Sequence, residues 1–133
     1  MPLMSKEQAL RLPSLKLAFV GDTVCDLMVR TQQCFSAVPV RIMHKEASSL
    51  VNAGAQAVQL DSIMHLLVDE EQEIVQRARN VRLHHTVPPA FTKEEYLKAT
   101  AYEALMGYLF LTGQMLRAQK LFSLGCIKEN IDA

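Results

Sequence analysis

The chain has 133 residues, half of them hydrophobic and 21% charged, with five Gly, five Pro and no Trp. That length suits one domain able to bury roughly two thirds of its unfolded surface, and the composition excludes disordered, collagen-like and disulfide-stapled chains. Fourteen basic side chains balance fourteen acidic ones, so affinity for nucleic acid or a membrane surface has to come from where charge sits.

The N-terminal segment through Lys16 lacks the layout of a secretory signal. The longest apolar stretch, Ala99 to Leu111, is too short to span a bilayer and is interrupted by Thr100, Glu103 and Gly107. A soluble, cytoplasmic protein with no membrane partner is expected. Pro13 and Ser14 predict a helix running to about Gln32, and Pro39 marks the loop before a long helical stretch from about Val40 to Val68. Asp69 is expected to cap a short helix ending near Asn80, with Glu70, Glu71 and Glu73 at its positive end and Arg77 and Arg79 at the other. Pro88 and Pro89 interrupt regular structure; Thr92 with Glu95 then reads as a capping box opening a helix that Gly113 stops. A last helix is expected from about Gln114 to Leu124, before Gly125. Strict period-two alternation and internal repeats are missing, so the pattern predicts an all-α single domain. Cys25, Cys34 and Cys126 are odd in number and form no C-x-x-C pair, which predicts reduced thiols, buried and inert.

Two acids stand where helices should bury themselves. Asp22 lies in LKLAFVGDTVCDLMVR, apolar on both sides and next to Gly21, which is unfavourable in a helix interior. Glu103 is the only charge between Lys98 and Arg117, and Thr100, Glu103 and Gly107 fall on one narrow polar strip of an otherwise apolar helix. A carboxylate in low dielectric is costly unless paired, protonated or bound to a metal. A structural salt bridge explains one such acid adequately; two, each beside a glycine, point towards a shared cation, for which Mg²⁺ fits best because one or two carboxylates plus water suffice. Asp26, one turn after Asp22, reads as a solvated or outer acid. His44, His65, His84 and His85 lack zinc-helix spacing, and no phosphate-binding loop, dinucleotide fingerprint or serine-hydrolase elbow occurs.

Positive charge is segregated. From Ile74 through Lys93 there is no acid, while Arg77, Arg79, Arg82 and Lys93 are basic and His84 and His85 can add charge below neutral pH. This segment is a candidate phosphate-binding loop, against the plainer reading of a solvated one. Scarce aromatics disfavour stacking on single strands, whereas duplex RNA is recognised by shape and by phosphate and 2′-hydroxyl contacts.

At these residues the chain resembles a known family. LAFVGDTVCDLMVR, from Leu17 to Arg30, resembles the signature helix of the ribonuclease III catalytic domain, and ATAYEALMGYLFL its second acidic helix. More narrowly, the chain is similar to the Mini-III type, which lacks the double-stranded-RNA-binding domain. The likeness runs from about Leu12 to Leu124 and includes MHKEASS and RARN. The resemblance implies an all-α, single ribonuclease III-like endonuclease domain over residues 1–133, with five to seven helices. It implies a homodimer that cleaves double-stranded RNA with Mg²⁺ and matures large-subunit (23S) ribosomal RNA, leaving 5′-phosphate and 3′-hydroxyl ends. By motif position Asp22 and Glu103 would be the catalytic metal-site acids; the acid-free segment, by its charge, offers Arg77, Arg79, Arg82, His84 and Lys93 as the expected RNA-binding set. Full-length ribonuclease III carries further acids where this chain has Leu15 and Thr100, a departure that agrees with the short type. The competing expectation is a non-catalytic, dimeric RNA-binding or ribosome-assembly module whose acids serve only structural pairs.

Overall fold

The computed structural model describes residues 2–83 and 86–132, with side chains through residue 126. Among the described residues seven α-helices follow one another: α1 (Lys6–Leu10), α2 (Ser14–Gln33), α3 (Val40–Leu50), α4 (Ala53–Ile63), α5 (Asp69–Arg79), α6 (Lys93–Leu111) and α7 (Met115–Asp132), with a 3₁₀ turn at Met64–Leu66. There is no strand among the described residues, and no helix there is long and apolar enough to cross a membrane.

α6 is the axis of the fold. Apolar from Ala99 to Leu111 apart from the strip at Thr100, Glu103 and Gly107, it packs most extensively against α2 and then against α4 and α5. Tyr102, Leu105, Met106, Tyr108 and Leu109 are fully buried along it; each aliphatic side chain so buried contributes about 1.5–3 kcal/mol of transfer free energy. Its start is the expected capping box: the Glu95 N–H donates to Thr92 Oγ1 at 3.0 Å and the Thr92 N–H to Glu95 Oε1 at 2.9 Å. Its end is also as expected, with Gly113 in the left-handed region at φ 77°.

Several expected boundaries differ. The stretch predicted as continuous from Val40 breaks at Asn52, which caps two helices at once. Its Oδ1 accepts from the Ala55 N–H at 2.9 Å, while its Nδ2 donates to the Ser48 and Ser49 carbonyls at the end of α3. Asp69 is not the cap of α5 but its first helical residue; Val68 holds the cap position and its N–H donates to Glu71 Oε1 at 3.0 Å. α7 does not stop before Gly125. That glycine serves close packing, since a Cβ there would lie 3.3 Å from the Gln59 carbonyl oxygen of α4. α1 is an addition to the expected helices, opened by a second capping box between Ser5 and Gln8. Cys25 and Cys126 are buried as predicted, but Cys34, just past the end of α2, is exposed.

One ion pair ties α5 to α7. Glu71 is buried and receives Arg117 twice, Nε to Oε2 at 3.0 Å and Nη2 to Oε1 at 2.9 Å, while Arg117 also donates to the Leu66 carbonyl. Burial pushes the Glu71 carboxyl up, but hydrogen bonds from Arg117 and the Val68 N–H and the charges of Arg117 and Lys6 outweigh it and hold it below its ordinary value. The stability this pair contributes is present above the ordinary carboxylate range and is lost as pH falls through the lowered value. Arg117→Ala is expected to cost about 2–4 kcal/mol by urea unfolding at neutral pH, because it leaves a buried carboxylate unpaired. A loss under about 0.5 kcal/mol would show that the pair contributes no more than an exposed one.

Candidate active site

α2 and α6 cross at Gly21 and Gly107, where backbone meets backbone. This crossing places Asp22 of α2 beside Glu103 of α6, although most of the chain separates them in sequence. The pair is asymmetric. Asp22 is exposed, which corrects the expectation of a buried acid: the helix surface around it is apolar but faces outward at Phe19 and Leu27. Glu103 is half-buried. Burial, the charge of Asp22 and a hydrogen bond with it, in that order, push the Glu103 carboxyl up to about 8. The charge of Asp22 thus adds to burial in keeping Glu103 protonated beyond the ordinary carboxylate range.

No lysine or arginine forms an ion pair with either acid among the described residues; the basic side chains are engaged elsewhere or stand apart. The structural salt bridge that would explain these acids is therefore missing. Cys25 lies beneath them, 1% exposed, its thiol pushed well up by burial and then by the charges of Glu103 and Asp22, which keeps it protonated and unreactive. Asp26, one turn on, takes Arg30 Nε at 3.3 Å and is directed along the surface of α2. Thr100 does not line the site with a free hydroxyl, since its Oγ1 donates to the Tyr96 carbonyl at 2.9 Å.

Two acids do not make a closed metal cage, and no group of three His, Cys, Asp or Glu side chains that could hold a metal exists among the described residues. The donor set is nonetheless chemically suited to a hard divalent cation: two carboxyls, oxygen donors only, one open to solvent, with no competing cationic side chain. A bound cation would relieve the repulsion that now raises Glu103.

The basic residues divide into those the fold uses and those without an ion pair among the described residues. Arg77, expected at a phosphate contact, is turned to the chain's own backbone. Its guanidinium donates to the carbonyls of Leu10 and Leu12, closing the end of α1, the second at 3.1 Å. Arg79 is half-buried on the next stretch of α5, in a small depression with Gln72 and Gln76, and makes no ion pair among the described residues. Arg82 and Lys93 are exposed on the α5–α6 connection and at the start of α6. His84 lies outside the described residues.

What sequence reasoning missed is the crossing. In the sequence, Gly21 and Gly107 read as helix-weakening neighbours of the acids; the signal that they lie against each other is their shared placement, one glycine beside each acid in an otherwise apolar helix.

The chain is similar to known proteins over most of its length. The ribonuclease III domain family model matches residues 15–114. A Mini-ribonuclease 3 of Thermoanaerobacter sp. is 41% identical over 123 residues, covering 92% of this chain and 86% of that protein. A Mini-ribonuclease 3 of Symbiobacterium thermophilum is 38% identical, covering 84% and 86%. A crystal structure of a Fusobacterium nucleatum protein superposes with a TM-score of 0.80 at 28% identity, covering 90% of this chain and 95% of that one. An all-α ribonuclease III domain and matches of this length and identity place the chain in the Mini-ribonuclease 3 family of endoribonucleases.

Proposed function

We propose that this endoribonuclease cleaves double-stranded RNA with Mg²⁺ held between Asp22 and Glu103. It acts as a homodimer, the whole chain serves as one catalytic domain, and its role is in cytoplasmic maturation of a large-subunit ribosomal RNA precursor. The observation that carries the reading is the pair of carboxyls, one raised to about 8 and one exposed, with no cationic partner among the described residues. The ribosomal substrate rests on the likeness of both acidic helices to the Mini-III type.

When bound, Mg²⁺ supplies a Lewis acid for a phosphodiester oxygen and an activated water for in-line attack that leaves 5′-phosphate and 3′-hydroxyl ends. The chain's own residues do the rest. Glu103, anchored in the half-buried wall of α6, fixes where the reacting phosphate sits, and Asp22, on the solvent side, leaves that place open to a rigid duplex. Deprotonation of Glu103 is the event that readies the pair, so single-turnover cleavage is expected to rise with pH through about 8.

The outward face of α2 supports the homodimer. Leu15, Phe19 and Leu27 are exposed there, with Phe19 at 82%, and a shallow apolar depression lies between Phe19, Val20, Val24, Leu27 and Phe110. A two-fold pair of sites matches the local dyad of a duplex, so one encounter can cut both strands.

Of the five expected RNA-binding residues, Arg79, Arg82 and Lys93 make no ion pair among the described residues. Every phosphate that a side chain ceases to neutralise takes roughly 0.9 from the slope of log affinity against log salt for a duplex of B-DNA charge density. Arg79→Ala with Arg82→Ala is expected to weaken duplex binding and flatten that slope by about 1–2. Arg77→Ala is expected to lower stability by about 1–3 kcal/mol with the slope unchanged, since it unties α1. An unchanged slope in the double variant would move the RNA elsewhere on the dimer.

The decisive experiment incubates the full chain with an RNA duplex, with Mg²⁺ and with a chelator, and maps the ends of any product. Cleavage confined to Mg²⁺, with 5′-phosphate ends, supports the reading. Equal cleavage in the chelator, or binding without cleavage, overturns it.

A further inference from the structure

The contact between α2 and α6 is closer than side chains allow. A Cβ on Gly21 would lie 1.6 Å from the carbonyl oxygen of Glu103, and a Cβ on Gly107 would lie 2.0 Å from the carbonyl oxygen of Leu17 and 3.0 Å from the Gly21 nitrogen. The two helices stop against each other's main chain. The stop is reciprocal: Leu17 and Gly21 are four residues apart on α2, as are Glu103 and Gly107 on α6. In each helix the carbonyl that meets the opposing glycine is therefore the one its own glycine N–H bonds to in the i to i−4 ladder. Both acids belong to this contact, because Asp22 directly follows Gly21 and Glu103 supplies one of the two carbonyls.

We propose that Gly21 and Gly107 are positioning residues for the acid pair, fixing the separation of Asp22 and Glu103 that a divalent cation needs. This rests on the metal reading above and goes beyond it. Side-chain packing can yield by rotamer changes when a neighbour is altered, whereas a backbone-on-backbone stop has no side-chain torsion to absorb a displacement. Glycine weakens a helix interior relative to alanine, and this fold keeps one in each of the two helices that carry its acids. Any Cβ at either position must push α2 from α6 and open the distance between the carboxyls. A glycine pair needed only for packing would instead affect metal binding no more than any other loss of stability.

The test uses the full chain and Mn²⁺ as an electron-spin-resonance probe, alongside kcat and KM on an RNA duplex. Gly107→Ala is expected to lower Mn²⁺ affinity by about tenfold or more, the scale of losing a group that orients a metal ligand. It should reduce kcat with little change in KM, because the RNA-contacting residues lie elsewhere. Leu17→Val and Leu105→Val, truncating fully buried side chains of the same two helices, should lower the melting temperature and leave Mn²⁺ affinity within about threefold. If Gly107→Ala does not fold, the two valine variants decide: retained affinity supports the backbone stop, and affinity falling in step with melting temperature overturns it. A folded Gly107→Ala with wild-type affinity also overturns it while leaving the metal reading intact. A wild-type chain that takes up no Mn²⁺ overturns the metal reading itself, and this inference with it.

Discussion

Glu103→Gln and Asp22→Asn are each expected to abolish Mg²⁺-dependent cleavage of duplex RNA, by about 10³-fold or more, which is roughly 4 kcal/mol of transition-state stabilisation. Their effects on stability should differ, because the acids differ in environment. Glu103 has its carboxyl raised from an ordinary 4.5 to about 8 by burial and then by Asp22. Between those values the folded chain holds a proton that the unfolded chain has released, so metal-free stability falls as pH rises through that window and levels off above it. Because Glu103 keeps some contact with water, the loss is of order 1–3 kcal/mol rather than the full value the shift implies. Glu103→Gln removes this slope and makes the metal-free protein more stable than wild type near pH ~9, where the wild-type pair carries two charges. Asp22→Asn relieves the same repulsion from the exposed side and should leave stability unchanged or raised. Thermal unfolding at several pH values in chelator measures both. A Gln variant with the wild-type slope would show that Glu103 is not the group that titrates. Added Mg²⁺ should restore wild-type stability at high pH by binding only the folded state, and should do nothing for either variant.

Phe19→Glu is expected to convert the proposed dimer to monomer, weakening association by about a hundredfold or more in sedimentation equilibrium. Removing a Phe from an apolar interface costs about 1.5–3 kcal/mol, and placing two like charges near a dyad adds to this. The fold should survive, because Phe19 is 82% exposed in the single chain and contributes little to its core. The isolated monomer is expected to keep Asp22 and Glu103 together, since both come from one chain, and therefore to nick one strand slowly where the dimer cuts both. A wild-type chain that stays monomeric at tens of micromolar would overturn the assignment of this face; a Phe19→Glu dimer would move the interface to another surface.

Local chemistry explains which parts of this molecule are readable without coordinates. Thr92 and Glu95, three apart, satisfy each other's backbone whatever surrounds them, so the start of α6 is legible, and so is its end at Gly113, where the left-handed turn needs glycine. Ser5 and Gln8 carry the same signal at α1, but so short a helix stands only by docking, through Arg77 and the buried Ala9. Asn52 is harder, because nothing in its immediate neighbours says that one amide will finish α3 and start α4.

The sequence by itself determined the all-helical class and the helices around the acids, since periodicity and caps act over one or two turns. It also singled out Asp22 and Glu103, because a charge among apolar neighbours is anomalous in any helix that packs. Tertiary structure alone decided the rest. It committed Arg77 to the carbonyls of Leu10 and Leu12, left Asp22 exposed while half-burying Glu103, and ran α7 through Gly125. It also turned two helix-weakening glycines into the crossing that brings the acids together. The physical reason is the same in each case: a side chain's partner, exposure and proton affinity depend on elements distant in sequence, and only packing brings those elements within reach.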